Sequence, residues 1–134
     1  KLQNYGTFLA TIADVDKDEA LPLIRRFYNL GFNIQATSGT GEFLKNNGIR
    51  THVLAKISEG SEEIPNAMRQ GHIAYFINTK DPGAGSESDG AKLRQIATEY
   101  NVTMFTALDT VKVLLDVLEE TTLTISTIDA GDEA

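Results

Sequence analysis

Residues 32–47 read FNIQATSGTGEFLKNN. The first six, FNIQAT, set Phe32, Ile34 and Ala36 in alternation with Asn33, Gln35 and Thr37, the character of a strand. GEFLKNN, at 41–47, reads as a short helix stopped by Gly48. Between them Thr37, Ser38, Gly39 and Thr40 leave no room for a long loop. A strand that passes this directly into a helix is half of a βα unit, and repetition of the unit implies a mainly parallel sheet.

The flanking sequence repeats it. Upstream, 7–13 (TFLATIA) predicts a buried first strand, and 16–30 carries Ala20, Leu21, Leu23, Ile24, Phe27 and Leu30 largely on one helical face, ended by Gly31. Asp16 is expected to cap this helix with Glu19 as capping-box partner, while Pro22 favours a regular start nearer Asp18. Downstream, 51–55 (THVLA) predicts a third strand, 62–70 a helix before Gly71, and 73–78 (IAYFIN) a central strand, apolar almost throughout. The stretch 80–89, with Pro82, Gly83, Gly85 and two serines, predicts a long loop of the kind that is functional or mobile. Asp89 is expected to cap a helix over 90–100 that buries Leu93, Ile96 and Ala97. A fifth strand over 102–105 and a last helix over 109–119 follow, the helix burying Val111, Leu114, Leu115, Val117 and Leu118. Beyond Glu120, TTLTISTIDAGDEA reads as a tail or a docking strand. The expected fold is a three-layer α/β/α domain over 1–134 with a five-stranded, mainly parallel, Rossmann-like sheet.

With 134 residues, 41% hydrophobic, the chain closes one core. It has no cysteine, which excludes disulfides, thiolate catalysis and Cys-ligated zinc, and fits a reducing cytoplasm. No apolar run reaches the roughly 18 residues of a membrane span, and no signal-peptide layout opens the chain, so a soluble protein is expected. The start at Lys1 without Met reads as a segment cut from a longer chain. A net charge of −7 argues against a nucleic-acid partner, whereas a small anion needs only a few local lysines.

In an open parallel sheet, ligands bind beyond the carboxyl ends of the strands. The residues that follow the strands here are Asp14, Asp16 and Lys17; Thr37, Ser38, Gly39 and Thr40; Lys56; and Asn78, Thr79 and Lys80. Thr-Ser-Gly-Thr opens a helix, where backbone N–H groups lack helical partners. Gly39 and Gly41 allow close approach, the hydroxyls donate, and the helix dipole favours an anion. The pattern fits a capped turn and a phosphate site equally well. Lys17 and Lys56 would share that end of the sheet, and Asn78 suits ribose hydroxyls or a base edge, or a turn. Asp14 and Asp16 fit caps better than general bases or magnesium ligands. His52 and His72 have no partners at triad or metal spacing. No Walker loop and no G-x-G-x-x-G is present.

Taken in order, GTFLATIADVDKDEA, GFNIQATSGTGEFLKNNGI, KISEG, INT and SDGAKLRQIA resemble the methylglyoxal-synthase-like domains. Within that family the chain is similar, from about residue 6 to residue 118, to the C-terminal allosteric domains of carbamoyl phosphate synthase large subunits. The resemblance implies a nucleotide effector: uridine monophosphate (UMP), inosine monophosphate (IMP) or phosphoribosyl pyrophosphate (PRPP). It places Thr11, Lys17, Thr37, Thr40 and Lys56 on the phosphate side and Asn78 and Thr79 on ribose and base. It also implies no catalytic residue, metal or cofactor in this domain. ATP and Mg or Mn would serve the rest of the synthase, and the partners would be that remainder and a glutaminase small subunit, in pyrimidine or arginine biosynthesis. The chain departs from the pattern at Lys80, in the non-basic loop DPGAGSESDG, and at Gln95 beside Arg94, where paired arginines are common.

The competing enzyme is methylglyoxal synthase, which eliminates phosphate from dihydroxyacetone phosphate and needs a carboxylate base. Its Gly-Gly-Asp segment should fall near 59–63, where this chain has EGSEE. A receiver domain would need an aspartate where Lys56 stands. A docking module without a ligand is the remaining alternative.

Overall fold

The computed structural model describes residues 5–55, 62–79 and 87–132, in which strands and helices alternate. In chain order these are β1 (Thr7–Thr11), a 3₁₀ turn (Asp14–Asp16), α1 (Lys17–Asn29), β2 (Asn33–Thr37), α2 (Ser38–Asn46), β3 (Thr51–Leu54), α3 (Glu63–Arg69), β4 (Ile73–Asn78), α4 (Glu87–Glu99), β5 (Thr103–Phe105) and α5 (Leu108–Asp132). Every strand pairing is parallel, and the five strands lie in the order β3-β2-β1-β4-β5. The expected α/β class, strand count and direction are those observed.

That order fixes the layers. From β1 the chain steps outward to β2 and β3, then returns past β1 to β4 and steps outward the other way. Right-handed crossovers therefore put α1 and α2 on one face and α3 and α4 on the other. On the first face Phe8, Ala10, Ile34, Ala36, Tyr75 and Ile77 meet Leu23, Ile24 and Phe27 of α1, Leu44 of α2 and Leu115 and Leu118 of α5. Phe8 and Phe27 are fully buried and stacked, ring centroids 4.1 Å apart. On the second face Leu9, Leu54 and Phe76 meet Ile64, Met68, Leu93 and Ala97. Neighbouring strand residues such as Phe8 and Leu9 thus feed different cores, because side chains alternate across a sheet. Each fully buried Phe or Leu contributes about 1.5–3 kcal/mol, so the two cores pin the strands on which the ligand edge is built.

Several boundaries differ from the sequence expectation. β1 ends at Thr11 because Ile12 and Ala13, though buried, lead into the 3₁₀ turn. Asp16 stands at the N-cap of α1 without a side-chain cap bond, so the expected capping box is not what starts the helix. Its entry is set by the backbone of the turn, Asp16 N–H donating to Ala13 O at 2.9 Å. Pro22 sits inside α1 with its ring exposed, which removes one helical bond without breaking the helix. α2 begins at Ser38 and not at 41, since Thr37 is extended (φ −72°, ψ 163°) and the next residue is already helical. α4 begins at Glu87, which places Asp89 inside the helix instead of at its cap. α5 does not stop near 119 but runs to Asp132, so the expected tail or docking strand is helical. The predicted stops at Gly31 (φ 101°) and Gly48 (φ 82°) hold, each in the left-handed region that glycine adopts without strain. Among the described residues no helix is long and apolar enough to cross a membrane.

Candidate functional site

The crossover from β1 leads outward to β2 and that from its neighbour β4 leads the opposite way to β5, so a crevice opens beyond the carboxyl ends of β1 and β4. The two strands end in register, Thr11 opposite Asn78. The Thr11 hydroxyl donates to Asn78 Oδ1, which orients the amide and leaves its NH₂ for another partner. One residue further on, Thr79 N–H donates to Thr11 O at 3.0 Å, and Thr79 Oγ1 accepts from Ala13 N–H at 2.7 Å. The zipper between the strands therefore continues past the sheet.

On the other side of β1, β2 runs straight into α2. Thr37 occupies the N-cap and makes no side-chain cap bond, so the first N–H groups of α2 are not satisfied by the usual hydroxyl. Thr40 is buried and tied to the exit of β1: its Oγ1 accepts from Ile12 N–H at 2.9 Å and lies 3.4 Å from Ile12 O. Thr37 is buried too, whereas Ser38 is half-buried and Gly39 exposed. Lys17, the first residue of α1, reaches over this helix start: a Cβ added at Gly39 would lie 3.8 Å from Lys17 Nζ. An ammonium and the positive end of a helix thus share one patch. The same ammonium is 2.5 Å from Asp14 Oδ1.

Thr11, Lys17, Thr37, Ser38, Gly39, Thr40, Asn78 and Thr79 therefore all stand along one edge, while Lys56 and Lys80 lie outside the described residues. Four of the residues singled out in sequence make contacts within the protein. The hydroxyls of Thr40 and Thr79 hold the backbone exit of β1, and that of Thr11 is committed to Asn78. Gly41 does not serve ligand approach: it is buried, and a Cβ there would come within 2.6 Å of Val53 Cγ2. Its lack of a side chain lets α2 lie against β3. Sequence reasoning also missed a pocket of about 240 Å³ beside the edge, lined by Asp16, Glu19, Thr79, Thr106, Ala107, Leu108 and Asp109. Thr106 follows β5 as Asn78 and Thr79 close β4, so extending the strand-end rule to the fifth strand would have found it.

His52 and His72 are exposed, and among the described residues no group of His, Asp or Glu side chains is arranged to hold a metal ion. Most of the EGSEE segment falls outside the described residues; its last member, Glu63, accepts from Ala55 N–H through its carboxylate. Among the described residues, a strong charge cluster off this edge joins α1 to α5. There Arg26 binds both Glu119 and Asp116, and its hydrogen bond to Glu119 holds that carboxyl below the usual range.

Two comparisons bear on this arrangement. The family model for the MGS-like domain matches residues 19–106. A crystal structure of methylglyoxal synthase from Elizabethkingia anophelis NUHP1 aligns over 85% of this chain and 79% of that chain, with a TM-score of 0.69 at 20% sequence identity. At that identity the likeness is one of fold.

Proposed function

We propose, for a chain that belongs to the MGS-like domain family, that this domain binds the phosphate of a nucleotide and acts as a regulatory module. The carrying observation is the start of α2, with no side-chain cap, lying beside the Lys17 ammonium at the strand edge. Backbone N–H groups and one cation suit a phosphate, and the oriented amide of Asn78 suits a ribose hydroxyl or a base edge. Of the hydroxyls expected on the phosphate side, Thr11 donates to Asn78 and Thr40 is tied to Ile12, so the weight falls on Thr37, Ser38, the α2 backbone, Lys17 and the Asn78 amide.

The finer reading is the effector domain of a carbamoyl phosphate synthase large subunit, a cytoplasmic ATP-dependent ligase, with UMP, IMP or PRPP as effector. It rests on the sequence motifs and on EGSEE in place of the enzyme's Gly-Gly-Asp. Mg or Mn and ATP then belong to the rest of that synthase, as does the glutaminase small subunit. The effector regulates by binding more and less active states with different affinity.

Calorimetric titration of the chain with UMP, IMP and PRPP tests this, beside Lys17→Ala. Binding that Lys17→Ala weakens tenfold or more is the expected result. A folded chain that binds none of the three would overturn the nucleotide reading. Formation of methylglyoxal from dihydroxyacetone phosphate would replace the regulatory role with the enzymatic one.

A further inference from the structure

The Lys17 ammonium already has an anion beside it. Asp14 Oδ1 accepts its hydrogen bond at 2.5 Å across the 3₁₀ turn, and the two side chains differ sharply in exposure: 18% for Lys17 and 82% for Asp14. The ammonium is held inward over Gly39, and the carboxylate lies on its solvent side, where an incoming anion would arrive. Asp14 opens the turn and Lys17 opens α1, so parting the pair takes a rotamer change of an exposed side chain.

We propose that Asp14 is an internal competitor at the phosphate site, a tethered carboxylate that an incoming phosphate displaces from Lys17. The inference rests on the reading of α2 and Lys17 as that site and adds a selectivity device to it. A phosphomonoester carries about −1.5 to −2 charges near neutral pH, against −1 for a carboxylate or halide. Two positive groups left without Asp14 would attract any small anion. With a carboxylate fixed in place, a monoanion gains nothing by the exchange, and a phosphate gains its extra charge and its third oxygen on the α2 N–H groups. Asp14 thereby sets a threshold that favours phosphate.

The test uses the full chain with wild-type, Asp14→Asn, Asp14→Ser and Lys17→Ala variants, titrated with inorganic phosphate, UMP and acetate, with thermal melts to establish folding. Both Asp14 variants are expected to bind phosphate and UMP about three- to tenfold tighter, as removal of one nearby, well-solvated charge requires. They are also expected to gain acetate binding that the wild type lacks, and the gain should shrink as salt shortens the screening length. Wild-type binding that both Asp14 variants leave unchanged or weaken would overturn the competitor and leave the phosphate site standing. No binding by the wild type or by either Asp14 variant would overturn the phosphate site and the competitor together.

Discussion

Gly41→Ala tests whether α2 is placed by contact with β3. A methyl at this fourth residue of α2 would sit 2.6 Å from Val53 Cγ2 and 3.5 Å from Val53 Cβ and Cγ1. Carbon atoms pack best at about 3.5–4.0 Å, so the first contact is about an ångström too close. Val53 cannot easily turn away, because a β-branched side chain has few open χ1 wells. Overpacking of this kind costs about 1–3 kcal/mol, and the change from glycine to alanine within a helix returns up to about 1 kcal/mol. The expected net loss is about 1 kcal/mol, or about 4 °C in Tm for a chain of this size. Urea denaturation of the wild type, Gly41→Ala, Val53→Ala and the double variant measures it. Val53→Ala removes both γ-methyls, so the double variant should be more stable than the sum of the singles by about 1 kcal/mol. If Gly41→Ala is as stable as the wild type, or if the two substitutions simply add, α2 is not held where the Val53 contact says it is.

Three further outcomes are expected. Thr40→Val removes the acceptor for the buried Ile12 N–H and should destabilise the fold by about 1–3 kcal/mol in urea denaturation, so it reports on packing and not on ligand contact. Thr11→Val frees the Asn78 amide from its orienting partner; nucleotide affinity should fall about threefold to tenfold while inorganic phosphate, which needs no Asn78, binds as before. Arg26→Ala should lower stability at pH 7 by about 0.5 kcal/mol, discounted because Glu119 is 40% exposed. The Glu119 carboxyl is depressed first by its hydrogen bond to Arg26, so its contribution is present above the ordinary carboxylate pKa and fades as pH falls through the depressed value. Melts of wild type and Arg26→Ala should therefore converge as pH falls through that depressed value, and a gap that stays constant across the whole acid range would refute the ion pair as its source.

The strands were legible as short apolar or alternating runs with sharp edges, and IAYFIN is fully enclosed but for Asn78. Parallel direction followed from helices between strands, since a helix is the short way back to the same end of a sheet. Boundaries set by tertiary contact were not legible. Nothing local in TSGT says that Ser38 is already helical, or that Gly41 is glycine for the sake of Val53, a residue twelve positions on. Nor does TTLTIST announce a helix: the last turns of α5 extend a helix nucleated and buried further back, and propagation asks less of each residue than nucleation does. At the candidate site, residue types and positions could be read but hydrogen-bond partners could not. Threonine hydroxyls that look available in sequence turn inward at Thr11, Thr40 and Thr79.

Those inward bonds converge on residues 11–13, the exit of β1. Thr40 of α2 holds Ile12, Thr79 beyond β4 holds Ala13, and Thr11 is bonded to Asn78 and to the Thr79 backbone. Directly after this exit, the turn beginning at Asp14 delivers Lys17 over Gly39. A group bound at the start of α2 would therefore lie beside the short segment that Thr40 of α2 and Thr79 beyond β4 both hold. On the proposed reading, recognition at this edge would draw on the α2 backbone N–H groups, the Ser38 hydroxyl, the Lys17 ammonium and the Asn78 amide already oriented by Thr11. A site made of such parts is preorganised, since binding orders few additional rotors, and its selectivity rests on charge and geometry.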